Sequence, residues 1–251
     1  MPDIVRVLLL ALFPAVGNFA GGMLAEAIRT SRRSLSIALH LAAGIIFGVI
    51  AVELAPRTLE GLDPCLAVMG FIAGGAAFIG LDALIERFQS SPEDDVEGSG
   101  QGGTGGAWAI YAAVAVDLFA DGLLIGAGSS LSFELALVLA LGQVTADIPE
   151  GFATIATFRD AGVARTKRIL LSASFVVPVL AGAFLSYFFL RDQPEAYQLT
   201  ALAFIAGMLL VAAAEEIMKE AHEVYPPSKL SSFALIGGFG LFAAVASYFE
   251  G

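Results

Sequence analysis

The chain has 251 residues, 57% of them hydrophobic and only 15% charged, with a mean hydropathy of +0.82, against roughly 45 to 50% apolar and 25% charged residues in a soluble domain. This composition excludes an ordinary soluble enzyme and defines an integral membrane protein; at about 20 residues per crossing, the length allows at most about eight or nine spans. The formal net charge of -11 argues against nucleic acid as a partner, and the single cysteine, Cys65, excludes a disulfide framework or a multi-cysteine metal centre.

The first apolar run, residues 4–28, begins without a basic leader and is too long for a cleavable signal, so it is expected to be a retained span. It contains Pro14, Gly17, Asn18, Gly21 and Gly22. Hydropathy places seven more spans at 35–55, 64–88, 107–129, 133–158, 169–190, 199–218 and 231–249. The runs are too long, and too rich in Ala, Leu and Gly, for barrel strands of about ten alternating residues. The expected fold is therefore an all-α integral membrane protein, a bundle of eight transmembrane helices.

Residues 89–106, QSSPEDDVEGSGQGGTGG, offer nothing to bury and read as a flexible acidic Gly/Ser linker. The linker divides the chain into 1–88, with three helices, and 107–251, with five. Its flexible carboxylates solvate the loop and would hold a hard cation only loosely. No internal repeat is clear from the sequence.

The basic residues alternate between the loops. Arg29, Arg32 and Arg33 follow the first span, Arg87 the third, Arg159, Arg165, Lys167 and Arg168 the fifth, and Lys219 and Lys229 the seventh. Only Arg6, Arg57 and Arg191 fall on the other side. The positive-inside rule places the first set in the cytoplasm and both termini on the extracytoplasmic side.

A carboxylate inside the bilayer costs roughly 2.5 to 3.5 kcal/mol on insertion scales, so those at mid-span are functional candidates. Asp117 and Asp121 lie near the middle of the fourth span, in AVDLFADGLLIGAG, and Asp147 and Glu150 a little past the middle of the fifth, in GQVTADIPEGFATIATF. Spacings of i to i+4 and i to i+3 put each pair on one helical face, so two adjacent helices can present four carboxylates to one another. No basic residue lies within these spans to neutralise them. Four such groups either take up protons or share a cation, and a divalent cation does this best. Gln143 shares the face of Asp147 and Glu150, and Pro149 cannot donate to the carbonyl of Thr145, which leaves an acceptor close by. Gly122, Gly126, Gly142 and Gly151 supply small surfaces for close helix approach.

These residues resemble those of the ZIP family of divalent metal transporters. Asp117-Leu118-Phe119-Ala120-Asp121-Gly122 is similar to the fourth-span motif His-Asn-x-x-(Asp/Glu)-Gly, and Ala146-Asp147-Ile148-Pro149-Glu150-Gly151 to the fifth-span motif (His/Gln)-(Glu/Asp)-Ile-Pro-(Glu/His)-Gly. The second span, HLAAGIIFGVIAVELAP, and the seventh, AGMLLVAAAEEIMKEAHE, also resemble the family's, so the likeness covers nearly the whole chain. The resemblance implies uptake of divalent metal toward the cytoplasm through a site between the fourth and fifth helices, with Asp121 and Glu150 able to bridge two ions. The expected mechanism is that of a carrier or channel without hydrolytic chemistry, not an enzyme and with no catalytic cofactor, and the compact length without a targeting segment points to a multi-pass protein of the plasma (inner) membrane. The sequence leaves a homodimer open.

The departures have a chemical direction. Asp117 stands where the family has His, Leu118 where it has Asn, Ala146 where it has His or Gln, and Ile46 where some members place a sulfur ligand; the sixth span has no acid to complete a second site. Imidazole suits zinc, iron and nickel, whereas carboxylate suits manganese, magnesium and calcium. Zinc also accepts carboxylate oxygens and so stays permitted; the resemblance makes it the leading substrate, with manganese, iron and cadmium as the other candidates.

Five further residues are candidates for the transport pathway. Glu53 lies at the outer end of the second span, and Glu215, Glu216 and Glu220 cluster beside Lys219 at the cytoplasmic end of the seventh. His222 follows them, and His40 opens the second span on the same side; each reads first as an interfacial residue, in a position that also fits an exit path. A retinal-type pump fails for want of a mid-span lysine, and an intramembrane aspartic protease because Asp117 and Asp121, the pair that could imitate its dyad, share one helix and lack a Gly-x-Gly-Asp signature. The competing class is a non-transporting metal sensor or structural membrane protein of the same fold.

Overall fold

The computed structural model describes residues 3–28, 31–89 and 104–250, the side chains of 85–89, 104–107, 109–110 and 250 excepted. Most of the predicted linker, 90–103, lies outside the described residues, as does Arg29. Eight helices are long and apolar enough to cross a membrane, and there is no strand among the described residues. They are α1 Asp3–Ala27, α2 Arg32–Gly61, α3 Pro64–Gln89, α4 Thr104–Leu131, α5 Phe133–Asp160, α6 Arg165–Leu190, α7 Glu195–Val224 and α8 Lys229–Glu250.

Several helices outrun their hydropathy limits for local reasons. Ser31 caps α2 in a reciprocal box with Ser34, so the helix starts among its arginines. It also passes Pro56. Residues Val49–Leu54 form a π-helical turn in which the Ala55 N–H donates to the Ile50 carbonyl, so the backbone register has shifted before the proline arrives. In α6 the proline prevails: Pro178 cannot donate to the carbonyl of Ser174, and the helix is interrupted between Ser174 and Val176. The Ser174 hydroxyl there meets the Tyr111 hydroxyl at 2.9 Å.

Packing sorts the helices into two groups. In one, α1 lies against α5 and α6, and α4 against α5 and α6; in the other, α2 lies against α8 and α7, and α3 against α7. The groups meet along α2–α5 and α4–α7. Helix α5 is the most enclosed, with 72% of its apolar window buried, whereas α3 and α8, at 22%, turn Met69, Ile72, Phe233 and Ile236 outward. A helix enclosed by protein can carry the polar groups that lipid would reject, and α5 is the one bearing Gln143, Asp147 and Glu150.

In each group two helix pairs approach so closely that glycine faces backbone on both sides. The pairs are Gly21 with Gly151 for α1–α5, Gly122 with Gly182 for α4–α6, Gly74 with Gly207 for α3–α7, and Gly44 with Gly238 for α2–α8. Without a hydrophobic drive inside lipid, such contacts let dispersion hold helices together.

This arrangement reveals an internal repeat that residue identity hides. Helices α2 and α7 each span 30 residues, and the π-helical turn of α7, Ala212–Ile217, falls at the same place in its helix as that of α2. An offset of 163 residues superposes both helices and both turns, and it pairs Gly44 with Gly207 and Glu53 with Glu216. Exchanging α1 with α6, α2 with α7, α3 with α8 and α4 with α5 maps the four glycine pairs onto one another. Since α2 and α7 cross in opposite directions, the relation is that of an inverted repeat.

Candidate metal centre

Helix α4 presents Asp117 and Asp121 one turn apart, and α5 presents Gln143, Asp147 and Glu150 on the facing side. One carboxylate oxygen from each of Asp117, Asp121 and Asp147 lies within 4.8 Å of the others. The Glu150 carboxyl lies against that of Asp117, and the Gln143 side-chain amide donates to Asp121 Oδ1. All five side chains are buried, from 1% exposed for Asp121, Gln143 and Asp147 to 7% for Glu150.

The satisfaction of these groups is incomplete. Asp121 Oδ2, Asp147 Oδ2, Glu150 Oε2 and Gln143 Oε1 are buried acceptors with no hydrogen-bond partner. Ion pairs form elsewhere, between Glu53 and Arg57 and between Glu26 and both Arg165 and Arg168. Buried acceptors of this kind cost free energy unless something positive meets them, and converging oxygens are the donor set of a divalent cation. The positions where the resemblance leads one to expect other ligands are apolar and packed: Leu118 is 0% exposed, Ala146 1% and Ile46 2%.

From the cluster a cavity of about 190 Å³ leads along α7, lined by Asp117, Glu150, Thr154, Thr157, Glu216 and Glu220. The Thr157 hydroxyl donates to Glu220 at 3.3 Å. Glu216 and Glu220 also line a wider cavity of about 520 Å³ with Asp82, Glu215, Lys219 and Glu223. The π-helical turn of α7 contains Glu215 and Glu216, in keeping with the frequency of such turns at functional sites.

Glu53 is placed differently from the expectation. It lies inside α2 rather than at its end, because the helix continues to Gly61; it is 1% exposed, and its Oε1 is 2.6 Å from the Arg57 guanidinium while Oε2 has no partner. His222 is exposed and its ring meets that of His40. Sequence reasoning missed Asp82, Glu223 and Thr157 as lining residues, although Asp82 as a lone acid late in an apolar run was a readable signal. Asn18, which the sequence offers as a polar helix contact or as part of the pathway, is fully buried on the α1 surface that covers Gly151, and its amide nitrogen and oxygen both lack partners.

Fold and site together define a multi-pass α-helical membrane protein with a carboxylate centre buried among its helices and an acid-lined cavity leading from it. No protein-family model matches the chain. It is similar over nearly its whole length to curated bacterial proteins named Zinc transporter ZupT: 28% identical over 249 residues to that of Shigella dysenteriae serotype 1, covering 93% of this chain and 95% of the relative. The Salmonella paratyphi A and Salmonella newport proteins of the same name are each 28% identical over 241 residues, covering 92% of both partners. These relatives are ZIP transporters, the family whose motifs the fourth and fifth spans resemble.

Proposed function

We propose that this chain transports divalent metal cations, zinc first among them, across the membrane through the centre formed by Asp117, Asp121, Asp147, Glu150 and Gln143. The observation that carries the reading is the convergence of three buried aspartates, one of which, Asp117, opens with Glu150 onto a passage lined by further acids. The name shared by the relatives, zinc transporter, supports the choice of metal. The loop charges support a cytoplasmic position for the open passage, and hence uptake, with the plasma (inner) membrane as the location.

The chemistry is coordination and release without bond cleavage. Asp117, Asp121 and Asp147 supply oxygen ligands, Glu150 and Gln143 complete the donor set, and Glu216 and Glu220 accept the ion next along the passage. Glu53, related to Glu216 by the repeat, is the corresponding acid on the outer side. There the buried Glu53 is held by the half-exposed Arg57, while Glu216 lines an open cavity. The asymmetry corresponds to a carrier open inward and closed outward, and exchanging the two half-conformations would give access from outside.

The test is influx into sealed proteoliposomes of zinc, manganese, iron, cadmium, magnesium and calcium, comparing the unaltered protein with Asp121→Ala and Glu150→Ala. Saturable zinc influx abolished by both substitutions is expected. Absence of flux for every metal by folded protein would overturn the reading in favour of a sensor or structural role.

A further inference from the structure

The chain contains two histidines. They stand 182 residues apart in sequence, at positions 40 and 222, yet their rings meet across α2 and α7 with centroids 5.2 Å apart and planes inclined by 48°. Neither belongs to the carboxylate centre. His40 is 3% exposed, and its Nδ1 lies 2.6 Å from the Ser36 carbonyl oxygen. A carbonyl can only accept, so Nδ1 carries the hydrogen and the neutral ring keeps its lone pair on Nε2. That is the outer-partner arrangement which fixes the tautomer and orientation of metal-binding imidazoles. His222 is exposed, beside Glu223 and two residues after Glu220, both of which line the acidic passage.

We infer that His40 and His222 form a second cation site, a bis-imidazole pair at the α2–α7 end of the passage, that takes borderline transition-metal ions such as zinc, cobalt, nickel or copper. The spacing suits it. With metal–nitrogen bonds of about 2.05 Å and roughly 1.15 Å from nitrogen to ring centre, two imidazoles on one tetrahedral ion have centres about 5.2 Å apart. Neutral imidazole selects these ions over manganese, magnesium and calcium, which prefer oxygen. The pair thus supplies a softer donor set than the all-oxygen centre deeper in the membrane. Two protein ligands leave positions for water, so the site is open and exchanges readily, as a stage of release requires. No three-ligand group of His, Cys, Asp or Glu other than the central aspartates occurs among the described residues, so the pair acts with solvent rather than as a closed structural site.

The test does not depend on transport. Purified full-length protein in detergent, its affinity tag removed, is titrated with Cu(II) and followed by electron paramagnetic resonance and its echo modulation, which count coordinated imidazoles. Since the chain has no other histidine, every imidazole signal comes from this pair. The expected result is two equatorial imidazoles at one equivalent of copper in dilute, monodisperse protein. His222→Ala, an exposed position, should leave one imidazole and weaken binding at least about tenfold, a loss that even an outer partner of a ligand can cause. His40→Gln should also leave one imidazole. A one-imidazole or imidazole-free spectrum in the unaltered protein overturns the proposal, as does a two-imidazole signal surviving in His222→Ala. Zinc influx in proteoliposomes reports separately on the carboxylate centre.

Discussion

Gly151 follows Glu150 and marks the closest approach of α5 to α1, so Gly151→Ala tests whether that contact supports the metal centre. A methyl group there would stand 2.6 Å and 2.7 Å from the carbonyl carbon and Cα of Asn18, where ordinary contact begins at 3.4 Å. The obstacle is backbone, the Asn18 carbonyl oxygen nearest of all, and has no rotamer in which to move away, so α1 itself must retreat. Overpacking of this kind costs about 1 to 3 kcal/mol. The same retreat would withdraw Gly17 from Asp147, whose Cβ lies 3.2 Å from where a Gly17 Cβ would be, and loosen one wall of the centre. Gly240→Ala is the control: nothing lies within 4 Å of the added carbon, and replacing a helical glycine gains up to about 1 kcal/mol. The assay is the fraction of monodisperse protein surviving a temperature series in one detergent, with zinc influx measured on the folded fraction. Gly151→Ala should lower the midpoint and the influx, while Gly240→Ala keeps both or raises the midpoint. Equal behaviour of the two variants would refute the packing argument.

Protons and metal compete for the same carboxylate oxygens, so lowering the pH removes binding capacity. At fixed free zinc, influx should fall on acidification and recover when zinc is raised, a change in the half-saturating concentration with a preserved maximal rate; a pH-independent half-saturating concentration would contradict an all-carboxylate site. Arg168 and Glu26 form a largely buried pair at 2.6 Å joining α6 to α1, with side chains 11% and 8% exposed, whereas Arg165 reaches the same Glu26 at 3.3 Å from a side chain 72% exposed. Removing one partner of a buried pair costs about 3 to 5 kcal/mol, and an exposed pair contributes about 0 to 1. Arg168→Met should therefore lower the thermal midpoint clearly more than Arg165→Met, and a reversed order would show that the buried pair is not what anchors these helix ends.

The sequence by itself determined the helices and the depth of their acids. Exclusion of polar groups from lipid acts on each residue of a span, so 57% apolar composition and runs of about 20 residues suffice to find eight crossings and to single out Asp117, Asp121, Asp147 and Glu150. Helical spacing likewise gave the shared face of each pair, since i to i+3 and i to i+4 neighbours are set by the helix alone.

Which helices meet is another matter, because any apolar face can pack against any other and only the whole set of close approaches selects one arrangement. The tertiary structure decided that α1 sits on α5 and α4 on α6, through Gly21, Gly151, Gly122 and Gly182. It brought Asp147 to Asp117 and Asp121, and it extended α2 past Pro56 so that Glu53 became a buried partner of Arg57. The inverted repeat emerged only there as well, because it is carried by backbone features, two π-helical turns and paired glycines, rather than by residue identity. The meeting of His40 with His222 is of the same kind: local patterning reaches a few turns along a helix, and a contact between residues 182 apart exists only once the bundle has closed.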